Sequence, residues 1–381
     1  MRARNSVTAA WILVGVSASC WILFLYPYFL YPMVLRLLGR EPIKCGPGSY
    51  SISLLFCAHN EAASLSDKID NLRDLKRTHP KLEVLAYDDG STDGTAELLE
   101  SVPDLLSVSA GPGRTGKAAG MKLLAGKARG DILVLTDANV LLASDALDRL
   151  LPYYAEPEIG GVCGTLKYVN ETGSVTSQIG SLYWRLDERL RTLESRTGNV
   201  MGADGSIFSV RRSLYPEFPD TVLDDLTVSM SVIFQGKRLI KAPDVIAYEK
   251  SVSERNEELR RKIRIGARAY HTHQYLRPQL RRMSARDRFK YTSRKQIRWF
   301  GGLFLTVGLF CAVAAVAVVS EVAAAALVLA AAGVMFVAFR AKAGVLAKAS
   351  DILLAIFATL VGVFYGMRGR TVTIWAPAKS R

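Results

Sequence analysis

The chain has 381 residues, a formal net charge of +14 and a composition in which 50% of residues are hydrophobic. This length allows more than one domain, and the hydrophobic fraction with a mean hydropathy of +0.16 excludes a disordered chain. The 5 Cys form no CxxC pair, which argues against a disulfide framework and against a zinc site.

Hydrophobic segments near both ends predict membrane spans. Residues 5–35 contain no charge, and about 20 apolar helical residues suffice to cross a bilayer. A cleaved signal peptide is the alternative, but no small-residue cleavage pattern ends the segment, so we expect an anchor. Residues 299–339 carry one charge, Glu321, and residues 352–367 carry none. This C-terminal region therefore predicts two spans and a third, shorter one.

A strongly basic segment precedes the C-terminal spans. Residues 251–300 contain fifteen Lys or Arg and four acidic residues, and therefore carry +11 of the net charge. A nucleic-acid patch is one interpretation, but the segment ends directly at a predicted span. Cytoplasmic flanks of membrane helices are rich in Lys and Arg, and anionic lipids attract them. We therefore favour the membrane surface over nucleic acid, and we expect a multi-pass protein of the plasma or inner membrane with a cytoplasmic central domain.

The other loop charges fit this orientation only in part. Arg340, Lys342 and Lys348 suit a cytoplasmic loop, whereas Arg368 and Arg370, after the last hydrophobic segment, do not. The number and orientation of the C-terminal spans thus stay open at this stage. The expected organisation is an anchor (1–40), a cytoplasmic domain (41–250), basic interfacial helices (251–299), and C-terminal spans with a tail (300–381).

The central part of the chain has the pattern of an α/β domain. From about Gly48 to Tyr248, short apolar runs alternate with helical patterns, which is typical of a parallel sheet covered by helices. The expected strands are residues 51–57, 82–87, 105–109 and 131–136. The expected helices are residues 61–76, 93–99 and 117–128.

Polar side chains follow three of these strands. They are Asn60 and Glu61 after the first strand, Asp88 and Asp89 after the second, and Asp137 and Asn139 after the fourth. Carboxyl ends of parallel strands are where open α/β sheets bind ligands. Helix capping explains a Ser or Thr in such a loop, but two adjacent carboxylates repel each other unless a ligand or cation uses them. The residues suit a nucleobase or ribose, and also a Mg²⁺ or Mn²⁺ ion whose shell is completed by substrate phosphates.

A glycine-rich loop offers a competing interpretation. Gly111 to Lys117 fits the GxxxxGK pattern of a P-loop. However, Ala118 stands where a hydroxyl must ligate magnesium, and only about twenty positions separate Lys117 from Asp137. We therefore disfavour a functional P-loop. Arg114 and Lys117 can still neutralise phosphate charge, the alternative being that they are solvated.

The ordered segments FCAHNEAASL, DDGSTDGT, RTGKAAGMK and TDAN resemble family 2 glycosyltransferases. The later segments MGADGSIFSVRRSLYP and LDDLTVSMSVIFQGKRL are similar to the acceptor half of that family. The resemblance covers about residues 50–268, and the flanking spans are similar to membrane-anchored members. It implies a GT-A-type domain with a mostly parallel sheet, joined to N-terminal and C-terminal transmembrane helices.

The resemblance also implies roles for the strand-end residues. Asp89 would contact uracil or another base, and Asn60, Glu61 and Asp88 would shape the same pocket. Asp137 matches the first Asp of the DxD motif that places a metal and the diphosphate. Asn139 replaces the second Asp, and its neutral amide oxygen is a weaker ligand for a hard cation.

The acceptor half supplies the candidate base. Asp225 matches the catalytic carboxylate that would accept the proton of an attacking sugar hydroxyl. Asp224 would lie near the acceptor or the diphosphate. Without the upstream motifs, Asp224 and Asp225 would be interpreted as first-turn helix acids favoured by the macrodipole. Asp204 matches an acceptor-side loop, an ordinary turn aspartate being the alternative. One general base and an in-line displacement give inversion.

The chain departs from the QxxRW motif of processive polysaccharide synthases. The stretch aligned with that motif contains Arg261 and Arg264, either of which would lie near the acceptor or diphosphate, but lacks the Gln and the Trp. In the family this Trp lies beside the acceptor sugar of a growing polymer, so the absence of the Trp favours addition of one sugar over chain extrusion. Gln296 to Trp299 has one residue too few for the motif and abuts a span, so we expect it to be an interfacial anchor.

The sequence thus predicts an inverting glycosyltransferase with a UDP-sugar as the expected donor and a lipid-linked or cell-surface glycan as acceptor. A processive polysaccharide synthase and a catalytically inactive nucleotide-binding membrane protein are the alternatives.

Overall fold

The computed structural model of the protein describes residues 2–169, 175–250, 254–341 and 344–370. Within these ranges an eight-stranded sheet has the spatial order β3-β2-β1-β4-β7-β6-β8-β5. The strands are β1 Ile52–Ala58, β2 Glu83–Asp88, β3 Ser107–Ala110, β4 Ile132–Asp137, β5 Leu141–Leu142, β6 Ile159–Tyr168, β7 Ile207–Arg211 and β8 Arg238–Glu249.

The first four strands run parallel to one another, as predicted. β1 pairs with β2 on one side and with β4 on the other, and β3 adds to β2. β7 lies antiparallel between β4 and β6, β8 is parallel to β6, and β5 is antiparallel to β8. The carboxyl ends of β1, β2 and β4 therefore meet at one edge of the sheet. The mixed, mostly parallel sheet confirms the predicted fold class.

Helices cover both faces of the sheet and continue into the hydrophobic ends of the chain. The helices of the domain are α3 Ala62–Thr78, α4 Thr95–Glu100, α5 Lys117–Lys127, α6 Ala146–Leu150, α7 Val175–Arg196 and α8 Asp224–Phe234. They are preceded by α1 Arg2–Leu25 and α2 Leu30–Leu37. They are followed by α9 Arg255–Arg282, α10 Ala285–Tyr291, a π-helical turn Thr292–Gln296, α11 Ile297–Trp299, α12 Gly301–Val319, α13 Glu321–Arg340 and α14 Gly344–Met367.

The core lies on the two faces of β1, whose seven residues are all buried. Phe56 packs on one face in the same cluster as Leu72 of α3, and Leu55 packs on the other face in the same cluster as Leu124 of α5. A strand that is buried on both faces appears in the sequence as a continuous apolar run, and this run is why β1 could be predicted. The four strands and three helices that the sequence predicts in this domain start and end within about two residues of their predicted limits.

The uncharged N-terminal segment is two helices instead of one. α1 ends at Leu25 and a turn leads into α2, whose Tyr31 and Leu35 are buried against Leu190 of α7. α1 exposes apolar side chains along its length, whereas α2 buries one side against α7 and leaves Met33 and Leu37 exposed. Four helices in the described ranges are long and apolar enough to cross a membrane: Val7–Leu25, Gly301–Val319, Glu321–Arg340 and Gly344–Met367.

The basic segment packs against the domain. The Arg268 side chain is buried and donates to the carbonyl of Val222 at 2.8 Å. Trp299 is 7% exposed and lies edge-on to Tyr270, with His273 beside it. We expected Trp299 to be an interfacial anchor, but the structure places its ring inside the protein.

Candidate active site

The loop between β3 and α5 is organised by the carboxylate of Asp89. This carboxylate is fully buried, and its Oδ1 accepts hydrogen bonds from the backbone N–H groups of Thr115 at 2.6 Å and Gly116 at 2.9 Å. Arg114 Nε donates to Oδ2 at 3.4 Å. Gly116 has φ +90°, a conformation that other residues rarely adopt. Asp89 therefore fixes the loop that presents Arg114 and Lys117.

Asn60 and Glu61 shape the same edge of the sheet. Asn60 is left-handed, with φ +53°, and its Oδ1 accepts from the backbone N–H of Thr92 at 2.8 Å. The backbone N–H of Glu61 donates to Thr95 Oγ1 at 2.9 Å. These bonds hold the ends of β1 and β2 side by side, as the strand-end prediction requires.

Asp88 differs from Asp89 in how its oxygens are used. Oδ2 accepts from the backbone N–H of Ser91 at 3.2 Å, whereas Oδ1 is buried without a hydrogen-bond partner in the described part of the chain. Buried polar atoms are nearly always paired, so an unpaired one requires an explanation. A ligand N–H is the partner that would satisfy this oxygen.

Lys117 lies where the two halves of the domain meet. Its Nζ is 2.5 Å from Asp137 Oδ1 at the end of β4 and 4.0 Å from Asp224 Oδ2 at the start of α8. Burial alone would lower the pKa of Lys117, but Asp137 and then Asp224 raise it. The residue is therefore a fixed positive charge between carboxylates from distant parts of the sequence.

Asp225 lies beside this lysine in the first turn of α8. Its Oδ1 accepts from the backbone N–H of Leu226 at 2.6 Å. A Cβ placed on Gly205 would lie 2.9 Å from Lys117 Nζ and 3.7 Å from Asp225 Oδ2, so glycine lets the three segments approach. Burial and the neighbouring Asp224 raise the pKa of Asp225 to about 6. At pH 7 the group is mostly ionised and a stronger base than an ordinary aspartate.

The predicted metal ligands are close to each other at the end of β4. Asp137 is one-third exposed on its side chain, and Asn139 donates through Nδ2 to Glu249 Oε1 at 3.1 Å. Carboxylate and amide oxygens, such as those of Asp137 and Asn139, are ligand types that a hard cation accepts, with its other ligands from phosphate or water. In the described part of the chain, no group of three or more His, Cys, Asp or Glu could hold a metal by itself.

Asp204 belongs to a buried group of charges that we name the ionic cluster. It comprises four acids and four bases: Asp187, Glu188, Glu194, Asp204, Arg191, Lys241, Arg294 and Arg298. Asp204 pairs with Arg191, and its Oδ1 accepts from the backbone N–H of Ser206 at 3.0 Å. Although burial opposes it, Arg191 keeps the pKa of Asp204 below its usual range. The cluster joins α7 to the segment that precedes α12.

Arg261 and Arg264 lie on α9. Arg261 Nε is 2.9 Å from Glu258 Oε2, and this carboxylate followed by Tyr168 and Glu249 raises the pKa of Arg261 against the effect of burial. Because Glu249 also binds Asn139, Arg261 lies on the metal-ligand side of the site. Arg264 follows one helical turn later and is half-buried.

Lys295 is a site residue that the sequence analysis missed. A Cβ on Gly202 would lie 3.6 Å from its Nζ, and its charge lowers the pKa of Asp225. Burial and then Arg294 lower the pKa of Lys295 itself to about 8. Counted from Lys295, the segment ending in Arg298 and Trp299 has the QxxRW spacing with Lys in place of Gln. A count from Gln296 instead leaves the motif one residue short.

The fold is that of a GT-A-type domain. Residues 53–218 match the family model described as Glycosyl transferase family 2. This match to part of the chain confirms the resemblance to family 2 glycosyltransferases that the motifs show.

Two curated relatives share part of the chain. The beta-monoglucosyldiacylglycerol synthase of Synechocystis sp. is 25% identical over 228 residues, 55% of this chain and 48% of that protein. The poly-beta-1,6-N-acetyl-D-glucosamine synthase of Staphylococcus aureus is 26% identical over 231 residues, 57% of this chain and 54% of that protein. The chain thus spans about half the length of these relatives.

A solved structure is similar over nearly the whole chain. It is a mannosyltransferase from Pyrobaculum calidifontis in complex with GDP-Man and Mn²⁺, with a TM-score of 0.71 and 22% sequence identity. The similarity covers 93% of this chain and 99% of that chain. It supports the fold, including the helices outside the sheet.

Proposed function

We propose that this chain is a metal-dependent, inverting glycosyltransferase that moves one sugar from a nucleoside diphosphate sugar to a lipid-linked or cell-surface glycan acceptor at the membrane. The observation that carries the proposal is the approach of Lys117 and Asp225 across Gly205. A fixed cation and a basic carboxylate thus lie together, next to the strand ends where open α/β sheets bind ligands.

Asp225 supplies the base. A sugar hydroxyl is a poor nucleophile until a carboxylate accepts its proton, and Asp225 is ionised at pH 7 because its pKa is about 6. The hydroxyl oxygen bonds to the anomeric carbon while the bond from that carbon to the diphosphate oxygen breaks. Lys117 and Arg114 stabilise the negative charge of the departing diphosphate. A single displacement of this kind inverts the anomeric centre.

Asp137 and Asn139 would hold a Mg²⁺ or Mn²⁺ ion, and the similar mannosyltransferase was solved with Mn²⁺. When bound, such an ion stabilises charge on the diphosphate as a Lewis acid. Lys117 already neutralises Asp137 at 2.5 Å, so the chain also provides a positive charge of its own at this point.

The unpaired oxygen of Asp88 supports a base-binding role for that residue. Uracil presents one ring N–H on its pairing edge, which matches one unpaired acceptor, whereas guanine presents a ring N–H and an amino group. We therefore infer a uridine donor, with Asp88 receiving the base N–H and Asp89 holding the loop.

Asp88→Asn and Asp89→Asn should have different effects. We expect Asp88→Asn to weaken UDP binding about tenfold or more with little change in melting temperature, because it alters an acceptor that the protein leaves unpaired. We expect Asp89→Asn to lower the melting temperature, because the loop loses an anionic acceptor for two N–H groups. Titration calorimetry and thermal unfolding of both variants test this. Equal losses of binding and stability in the two variants would contradict the division of roles.

A screen of donor hydrolysis tests the donor class. The purified protein with Mn²⁺ should hydrolyse a UDP-sugar faster than the matched GDP-sugar. Faster hydrolysis of the GDP-sugar would overturn the uridine assignment while leaving the glycosyltransferase proposal intact. If a nucleoside diphosphate binds but no donor is hydrolysed, the chain is a catalytically inactive nucleotide-binding membrane protein.

The acceptor and the length of the product stay proposals. One relative is named for a glycolipid and the other for a polysaccharide. We favour addition of one sugar, but the spacing found at Lys295 removes part of the sequence argument against a polymer. Mass analysis of products made by the purified protein separates the two, because a ladder of lengths indicates a processive synthase.

Lys295→Gln should shift the pH profile of the reaction. Lys295 lowers the pKa of Asp225, so its removal raises that pKa and moves the acidic limb of kcat/KM to higher pH. The exposed Lys81→Gln is the matched control and should leave the limb in place. Profiles of both variants between pH 5 and 8 test the effect, and an unmoved limb in Lys295→Gln would show that the lysine does not act on the base.

A further inference from the structure

Helix α14 is apolar enough to cross a membrane, yet it packs lengthwise on α9. The carboxylate of Asp351 is 2.5 Å from Arg255 Nε near the beginning of both helices. Further along, a Cβ on Gly266 would lie 2.9 Å from the carbonyl oxygen of Thr359, and one on Gly366 would lie 2.5 Å from that of Ala267. The two helices therefore run in the same direction with their backbones close together.

Helix α9 is part of the catalytic domain. Thr272 Oγ1 accepts from the backbone N–H of Leu223, and Arg268 donates to the carbonyl of Val222, just before α8. Along its contact with α14, α9 carries Arg260, Lys262 and Arg264. If α14 crossed the bilayer, this charged segment would enter the hydrocarbon beside it. Charged side chains inside a bilayer are costly.

The contacts of the other hydrophobic helices show where α14 lies relative to the two sides of the membrane. Phe24 at the end of α1 lies beside Gly301 at the start of α12, and Cys20 lies beside Gly308, so these helices are antiparallel and share a domain-side end. After α12, only Ser320 separates α12 from α13, which therefore returns toward the domain.

Leu360 of α14 lies against this domain-side end. Its Cδ2 is 3.1 Å from the Cβ position of Gly302. A rise of 1.5 Å per residue places Leu360 about 24 Å along the helix from Gly344. A fourth crossing that began on the domain side would place Leu360 near Val319, at the opposite end of α12. The contact with Gly302 instead keeps the whole of α14 at the domain side.

The outer face of α14 is apolar and flanked by positive charges. The exposed apolar residues on this helix are Val345, Leu346, Ile352, Phe357, Val361, Phe364, Tyr365 and Met367. Lys348, Arg368 and Arg370 are exposed at its two ends. An apolar face with basic flanks is the pattern of a helix that lies in the headgroup region of an anionic membrane.

We propose that α14 is an in-plane helix that binds the lipid leaflet on the catalytic side, with only α1, α12 and α13 of the described helices crossing the bilayer. Residue 370 then lies on the same side as the catalytic domain. This places Arg340, Lys348, Arg368 and Arg370 on one side of the membrane, whereas four crossings divide them. The proposal concerns the membrane surface and does not depend on the reaction.

Labelling of single cysteines in the full-length chain tests the proposal. In a chain whose native cysteines are replaced, Arg370→Cys is compared with Lys81→Cys in the catalytic domain and Ser320→Cys between α12 and α13. A membrane-impermeant maleimide is applied to intact cells and to inverted vesicles. We expect Arg370→Cys to label from the same side as Lys81→Cys and from the side opposite to Ser320→Cys. Labelling from the side of Ser320→Cys would overturn the proposal.

The unsubstituted chain provides an independent measurement, should the cysteine-free protein not fold. Green fluorescent protein and alkaline phosphatase are fused in turn to the C-terminus and, as a reference, inserted after Ser320. Fluorescence without phosphatase activity at the C-terminus, with the reverse after Ser320, supports the in-plane helix. Phosphatase activity at both positions shows that α14 crosses the bilayer.

Discussion

Replacing Asp225 by Asn should lower kcat by about 10²- to 10⁴-fold, the range that a general base contributes. The substitution keeps the shape of the side chain but removes the group that accepts the acceptor's proton. Donor binding should change little, because Lys117 and the strand-end residues remain. Steady-state kinetics with the donor identified by the hydrolysis screen, together with calorimetry of nucleotide binding, measure the two effects separately.

The pH profile of the wild-type enzyme should show the ionisation of Asp225. Asp225 acts as a base only when ionised, and its pKa is about 6. We therefore expect kcat/KM to be constant above this pH and to fall about tenfold per pH unit below it. Asp67→Asn, an exposed aspartate on α3, is the matched control and should retain full activity. Normal turnover in Asp225→Asn would remove Asp225 from the catalytic role.

Asp187→Ala should destabilise the protein by about 3–5 kcal/mol, the cost of breaking a buried ion pair from one side. Asp187 is buried and lies 3.0 Å from Arg191, 2.9 Å from Arg294 and 3.0 Å from Arg298. Its removal leaves three guanidinium groups without this shared carboxylate. Denaturant unfolding of the purified protein in detergent measures the loss.

The matched control for this stability change is Asp70→Ala. Asp70 pairs with Arg73 at 2.8 Å on the exposed surface of α3, where an ion pair contributes about 0–1 kcal/mol. Equal stability of Asp187→Ala and Asp70→Ala would show that the ionic cluster does not hold α7 against the segment before α12.

The strands and the strand-end residues were predictable because local patterns encode them. Buried parallel strands appear as apolar runs, and the polar residues after them must meet where the strands end in register. The pairing of Lys117 with Asp224 was not predictable from these patterns. It depends on how the later half of the domain packs, which no local spacing in the sequence specifies.

The same limit explains the errors near the membrane. In segment 5–35, Pro27 marks the break after Leu25. The packing of α2 against α7 is hidden, because Tyr31 and Leu35 are as apolar as membrane residues. Lys295 was missed because the motif calls for Gln at this position, and the neighbouring Gln296 drew the count one residue too far along. Its distance from Asp225 could be recognised only once the chain had been folded.

The hydrogen bond between Tyr31 and Glu194 determines where a form of this protein without the first membrane helix can begin. The hydroxyl of Tyr31 donates to Glu194 Oε1 at 2.8 Å, and Arg294 binds the other oxygen of the same carboxylate at 2.5 Å. An expression boundary set at residue 40, where the hydrophobic stretch ends by inspection, would delete this donor and uncover α7. A boundary set just before Leu30 would remove α1 and keep both contacts.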